Sequence, residues 1–449
     1  MKKLFSFIAV ICFATTVSAQ YQVANSGFEE WETSTSEKAE PCHWNSFKSA
    51  SGTLKSMAAQ QMDKITGTDA HGGDASVKIT ARSVLGVVAQ GNMTTGQINM
   101  GSTSAGDGSK NYNYTNTANS NFNQSFTGLP DAMEVYVNAS VSDYAKATAL
   151  LHGNGNYYDP GNNNDGNVAL IASAPDLNIT TTNGWVKKTI PCTYNVTDGT
   201  RPSYALITFS TSATPGEGSK NDWMCIDDLK FLYYSELKSA SFNGNAITFN
   251  GTSATVNDFY DASKLNITSN GHGAKIETSM DESKQLLTVT IKGDNISEDA
   301  TNFHTYKIQF KPYEFELLSL AYNGVAITGY EPDGDAIDVV LDEDFDISKL
   351  TYTLSDYAEP TFDYDEETGF LAITVTSKSG SSAEYDFNIY RRGDINMDND
   401  VSIADVTSLV NIILGKSTNY SKSVADVNKD NDISIADVTA LVNIILGKN

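Results

Sequence analysis

The chain has 449 residues, 55 of them acidic against 30 basic, for a formal charge of −25. Such a polyanion repels nucleic acid and anionic lipid, which excludes both as partners and leaves calcium and neutral ligands. A chain of this length exceeds what one hydrophobic core can organise, so three or four domains are expected.

Lys2 and Lys3 precede an apolar run, Leu4–Phe13, which is too short to span a bilayer, and Val17-Ser18-Ala19 supplies small residues. This is the layout of a secretory signal peptide, residues 1–19, cleaved before Gln20. Ile11 stands before Cys12 where a lipidation motif takes a small residue, so a lipid anchor is not expected. No later apolar run reaches membrane-helix length. The mature chain is therefore expected beyond the cytoplasm, secreted or at the cell surface, with the periplasm as the alternative address. Cleavage removes two lysines and takes the charge to −27, 28 basic against 55 acidic. Cys42, Cys192 and Cys225 remain, enough for one disulfide with one thiol over, and the pairing stays open.

Residues 20–235 are rich in Asn, Gly, Thr and Ser around short alternating runs such as Met133–Val137 and Tyr204–Phe209. Alternation with period two between turn-rich loops predicts an all-β sandwich or jelly roll. Three stretches frame it: Asn25-Ser-Gly-Phe-Glu-Glu-Trp31, Asp69–Ile79, and Asn221–Tyr233 with its Asp227-Asp228 pair. With Glu40–Trp44, Gly91–Gly101 and Gly128–Pro130, they resemble a carbohydrate-binding-type jelly roll, in particular the bacterial carbohydrate-metabolism domain family. If the first and last strands pair edge to edge, Glu29 comes near Asp227 or Asp228, beside Gly72 and Gly73. Clustered carboxylates call for a cation or a proton, so Glu29, Asp227 and Asp228 form a candidate second calcium site. The loops 106–124 and 153–166 carry tyrosines among Asn and Gly. Tyr157, Tyr158 and Asp159 are the candidate glycan contacts, because tyrosine offers an apolar face with a polar tip. Trp31, Trp44, Trp185 and Trp223 read as core residues.

Residues 236–391 hold a repeat of about eighty residues. Glu236–Thr248 returns as Glu316–Thr328, and Asp261–Leu265 as Asp346–Leu350. Each copy places Asn-Gly between two β-type runs, the hairpin signature. The copies, 236–312 and 313–391, resemble the immunoglobulin-like β-sandwich spacers of exported bacterial proteins. Asp333–Asp338 reads as an acidic hairpin turn.

Residues 392–449 change to a helical period and repeat Asp400–Lys416 at Asp432–Lys448. Each copy opens with twelve oxygen-rich residues, 394–405 and 426–437. A twelve-residue calcium loop draws ligands from positions one, three, five, seven, nine and twelve. Those positions are Asp394, Asn396, Asp398, Asp400, Ser402 and Asp405, then Asp426, Asn428, Asp430, Asp432, Ser434 and Asp437. Position six is Asn399 or Asn431, and Asn tolerates a left-handed backbone best after Gly. One amphipathic helix follows each loop, stopped by Gly415 and Gly447. Tandem loop–helix units with Asp at position twelve resemble a type I dockerin. The resemblance implies bound Ca²⁺ and a cohesin-like module on another protein as partner. It also implies that positions ten and eleven, Ile403-Ala404 and Ile435-Ala436, choose that partner.

No Gly-x-Ser-x-Gly elbow, His-Glu-x-x-His helix or phosphate loop appears. None of the five histidines sits in a triad or metal spacing. Three functions stay open for residues 20–235: glycan binding, glycoside hydrolysis, and a structural or adhesive role. The first leads, within polysaccharide utilisation.

Overall fold

A computed structural model describes residues 21–33, 39–84, 86–161 and 168–448. The expected signal peptide, 1–19, and residues 162–166 of the second Asn-rich loop lie outside them. The chain divides into two compact units. One comprises Met1–Ile247, Lys264–Thr278 and Val289–Tyr306; the other comprises Thr248–Ser263, Ser279–Thr288 and Lys307–Asn449. The segment 236–312 thus contributes to both.

The first unit is built on two antiparallel five-stranded sheets. One runs in the order Met62–Thr66, Ala75–Thr80, Trp223–Leu232, Ala132–Ser140, Val186–Pro191. The other runs Thr193–Tyr194, Leu170–Ile179, Ala145–His152, Tyr204–Ser210, Asn92–Thr94. Every second residue points inward, as a pleated strand requires. Val77, Ile79, Val135, Val137, Met224 and Ile226 of the first sheet share one core with Ala147, Ala149, Ala174, Ile207 and Phe209 of the second. Phe28, Trp44 and Phe126 complete that core, whereas Trp31, Trp185 and Trp223 are only half-buried. Only Trp44 is therefore the core tryptophan that the sequence predicts of all four.

The last strand of this sandwich is central, between Ala75–Thr80 and Ala132–Ser140, and residues 21–30 form no strand. The edge pairing of first and last strands does not occur. The amino-terminal segment instead meets Trp223–Leu232 through isolated hydrogen bonds: Leu229 N donates to Ser26 O, Phe231 N to Gln22 Oε1, and Gln22 Nε2 to Phe231 O. The region 106–124 also departs from a loop. Asn111–Tyr114 pairs with Gln97–Met100 and with Tyr158–Asp159 in a three-stranded sheet.

Cys192 and Cys225 are both free thiols, so neither takes part in the one disulfide that the three mature cysteines allow. Parts of 264–306 pack within the first unit. Asp131 accepts from Tyr234 N and His272 N, each at 2.7 Å, and Tyr194 stacks on His272 at 3.5 Å. Arg201 grips Asp294 with both terminal nitrogens.

In the second unit, the repeat 313–391 has two facing sheets. One contains Leu317–Tyr322, Val325–Ile327 and Leu350–Leu354; the other has Ile337–Leu341, Ser382–Arg391, Phe370–Thr376 and Glu359–Asp365 in order. The predicted Asn-Gly hairpins form in both repeats: Asn243 and Gly244, like Asn323 and Gly324, have positive φ, as a type I′ turn demands. The carboxyl-terminal module has two eleven-residue helices, α1 (Ile403–Ile413) and α3 (Ile435–Ile445), flanking a short α2 (Lys422–Ala425). Leu409, Ile412, Val424 and Leu441 form its core, and Val340 and Tyr390 of the preceding repeat pack against it.

Candidate functional sites

The two loops of the terminal module have one design. Met397 and Asn399 in the first, Lys429 and Asn431 in the second, take positive φ, folding each loop back on itself. Asp405 and Asp437, fully buried at position twelve, each clamp their own loop. Asp405 accepts from Ile395 N, Asn396 N and Ser402 N; Asp437 accepts from Asn428 N and Ser434 N. Ser402 and Ser434 cap the helices reciprocally with these acids. Asp394, Asp398 and Asp405 bring carboxylate oxygens within 4.8 Å of one another, and so do Asp426, Asp430 and Asp437. Burial pushes the Asp394 carboxyl up, and its like-charged neighbours Asp405 and Asp398 push the same way. Three converging acids with no basic side chain among them form an oxygen cage of hard-cation type. Just outside the cages, Ile403 is 72% exposed and Ile435 71%.

A second acidic group lies in the first unit. The strand Trp223–Leu232 has a register shift between Asp227 and Lys230, with Asp228 at φ +46°. This β-bulge moves the inward positions from 224 and 226 to 229 and 231, and turns Asp227 and Asp228 toward the loop at His71. His71, Asp227 and Asp228 cluster there. Asp227 accepts from His71 N, Gly72 N and Asp228 N; His71 Nδ1 lies 2.7 Å from Asp228 Oδ2. Burial pushes the Asp227 carboxyl up to about 6. Glu29 sits on the other side of the Gly72–Gly73 turn and accepts from Asp74 N and Ala75 N. A Cβ on Gly72 would meet the Asp228 carboxylate and one on Gly73 the Glu29 carboxylate, and Gly73 has φ +58°, a conformation that favours glycine. Glu29, Asp227 and Asp228 thus flank one turn, with backbone N–H groups donating to Glu29 and Asp227, and the ligand atoms of His71, Asp227 and Asp228 lie close enough together to hold a metal ion. His71 was missed because it sits in no ligand spacing of the sequence, although it directly precedes the Gly72–Gly73 turn.

The three candidate glycan contacts separate. Tyr158 is 9% exposed, stacked on Tyr114 and edge-on to Tyr112, so its ring offers no open face. Tyr157 stacks on the buried His152 at 5.0 Å. Both rings thus take part in packing, Tyr158 almost wholly and Tyr157, which is half-buried, on its His152 side. Asp159 alone reaches a cleft, of about 460 Å³, lined also by Phe47, Met57, Val88, Asn92, Tyr112 and Lys146.

Residues 392–446 match the family model described as Dockerin type I domain, and this terminal module is a dockerin. No curated protein matches the chain. Solved structures with some similarity include a provisionally assigned glycoside hydrolase from Bacteroides thetaiotaomicron VPI-5482, at 14% identity and a TM-score of 0.36, covering 49% of this chain and 73% of that one. Another is TmCBM61 in complex with β-1,4-galactotriose, at 13% identity and TM-score 0.22, covering 48% of this chain and 99% of that one. A third is a cyclase from Fischerella sp. TAU, at 10% identity and TM-score 0.26, covering 47% of this chain and 94% of that one.

Proposed function

We propose that this chain is an exported glycan-binding protein, held by its dockerin on a cohesin-bearing partner that assembles polysaccharide-utilising proteins. The observation that carries the reading is the dockerin itself, with both acidic loops and both helices in full. Bound Ca²⁺ supplies positive charge between the converging carboxylates. The residues that would hold it are Asp394, Asn396, Asp398, Asp400, Ser402 and Asp405, and their counterparts Asp426, Asn428, Asp430, Asp432, Ser434 and Asp437. The Ile403-Ala404 and Ile435-Ala436 pairs face the cohesin. Residues 20–235 meet the glycan, and the segments 236–312 and 313–391 act as spacers between glycan and tether. No helix among the described residues is long and apolar enough to cross a membrane.

The test uses the mature chain, 20–449, in three assays side by side: a glycan array, reducing-sugar release from polysaccharides, and capture by a panel of cohesin modules. Capture is expected in calcium and lost with chelator. Retention of neutral glycan is expected with a dissociation constant on the order of 10⁻⁴ M, since sugar hydroxyls must be desolvated. Product release would make the sandwich an enzyme. An array without any retained glycan would leave the structural or adhesive role.

A further inference from the structure

The cleft beside Asp159 lies on the outer face of the second sheet of the first unit, where the inward alternation forces polar residues out. Ala145, Ala147 and Met93 point into the core, so Lys146 and Asn92 point the other way. Strand register then aligns them, because Ser210 pairs with Lys146 on one side and with Asn92 on the other. The strands at Asn111–Tyr114 and Tyr158–Asp159 bring Asn113 and Asp159 to the same cleft.

Asn92 is 6% exposed, and its Oδ1 has no hydrogen-bond partner, while its Nδ2 donates to Asn113 Oδ1. A buried acceptor left without a donor costs about 1–3 kcal/mol, so native proteins rarely keep one without a use. Lys146 Nζ stands 3.8 Å from Asp159 Oδ2, an ion pair longer than a hydrogen bond, with ammonium hydrogens left to turn toward a ligand. The apolar lining is mostly aliphatic, from residues such as Leu54, Met57, Val87 and Val88, with Phe47 and Tyr112 as its aromatic members. The volume is in the range of small-molecule sites.

We propose that this cleft binds a sugar carrying an acetamido group. The proposal rests on the glycan-binding reading above and names its site and ligand class. Flat aromatic rings suit the C–H face of a plain hexose, whereas branched and thioether side chains enclose a methyl group. An acetamido group places such a methyl beside an N–H and a carbonyl. The N–H supplies the donor that Asn92 Oδ1 lacks, the carbonyl accepts from Lys146, and ring hydroxyls donate to Asp159.

The probe is N,N′-diacetylchitobiose, titrated by calorimetry into the mature chain, with cellobiose as comparison. Diacetylchitobiose is expected to bind at least tenfold more tightly. Asn92→Leu and the rim variant Val87→Asp should each lose tenfold or more with the melting temperature kept. Val87 is on a surface hairpin outside the core, so its variant folds even where Asn92→Leu does not. Equal affinity for the two sugars, or no binding of diacetylchitobiose by a chain that retains other array glycans, would overturn the acetamido class. Full affinity in both variants would overturn the site. A chain that retains no glycan at all fails the earlier reading instead, which is a separate result.

Discussion

The acids of the first unit and those of the dockerin loops meet opposite fates. Asp294 is held by Arg201, and Glu134 by Lys187 and Lys230. In the dockerin, Asp394, Asp398 and Asp405 face one another with no basic side chain among them. Arg201, Lys187 and Lys230 thus give Asp294 and Glu134 a countercharge within the chain. The dockerin cage is the arrangement that bound Ca²⁺ would neutralise, so its stability is expected to depend partly on the solution around it.

Calcium removal should divide the molecule most sharply. At calcium about 100 times the dissociation constant each site adds roughly 2.7 kcal/mol, so two sites add about 5 kcal/mol. Hydrogen exchange on the mature chain with chelator is expected to lose protection in 403–445 and keep it in the sandwich strands. Lost protection at 71–75 and 223–232 would break the comparison, placing a cation among Glu29, Asp227 and Asp228 as well. Unchanged protection of the dockerin would break it from the other side.

Arg201→Ala removes a countercharge within the first unit and leaves Asp294, whose side chain is 2% exposed, without it. Stranding a buried charge should cost about 3 kcal/mol, read as a lower midpoint in denaturant that calcium does not restore. Restoration by calcium would mean that this acid, too, accepts an external cation.

His152 sharpens the contrast through pH. It is fully buried between Tyr157 and Tyr204, with Nε2 on Thr115 Oγ1 and Nδ1 on Gly153 O, and burial lowers its pKa to about 4. The fold favours the neutral ring, so stability is full above the unfolded value near 6.5 and falls as pH drops toward 4. At pH 4.5 the loss is about 2.5 kcal/mol relative to a chain without the histidine. Denaturant titrations of wild type and His152→Gln at pH 7 and 4.5 should show that difference between their pH responses. Asp227 acts in the opposite sense, since its raised pKa relieves strain as pH falls through about 6. Subtracting the variant isolates His152 from it.

What could be read from the sequence follows the same division. The dockerin ligands lie within twelve consecutive residues, so their spacing alone specifies the cage, and the Asn-Gly hairpins are equally local. The cleft joins Asn92, Lys146 and Asp159 across three strands and two layers, and only strand register brings them together. Lys146 did leave a trace, as the one cation in the alternating run Ala145-Lys-Ala-Thr-Ala149. The packing of Tyr157 and Tyr158 was not legible, because a tyrosine among asparagines looks the same whether its ring faces solvent or a neighbouring ring. The Asp227-Asp228 motif marked a bulge, and the register shift that makes it one depends on both neighbouring strands.

The smallest expected effect tests the symmetry within the dockerin. Ile403 and Ile435 are almost equally exposed, Ser402 and Ser434 cap their helices identically, and the two loops differ at few positions. Two such faces offer a cohesin two orientations related by a half turn. Replacing Ile403 and Ala404 alone should then weaken binding by no more than about threefold, roughly 0.7 kcal/mol, because the other face still serves. Replacing Ile435 and Ala436 alone should do the same, and changing all four should cost at least a hundredfold, all measured by calorimetry in calcium. One asymmetry works against this equality. Asn399 of the first loop leans on Glu366 O, and Ser421 and Ser423 both donate to Asp338, so the preceding spacer touches the module off its axis. If the spacer obstructs one orientation, one double variant will lose tenfold or more while the other loses nothing. Asp338→Ala, which frees Ser421 and Ser423, should then restore part of the balance.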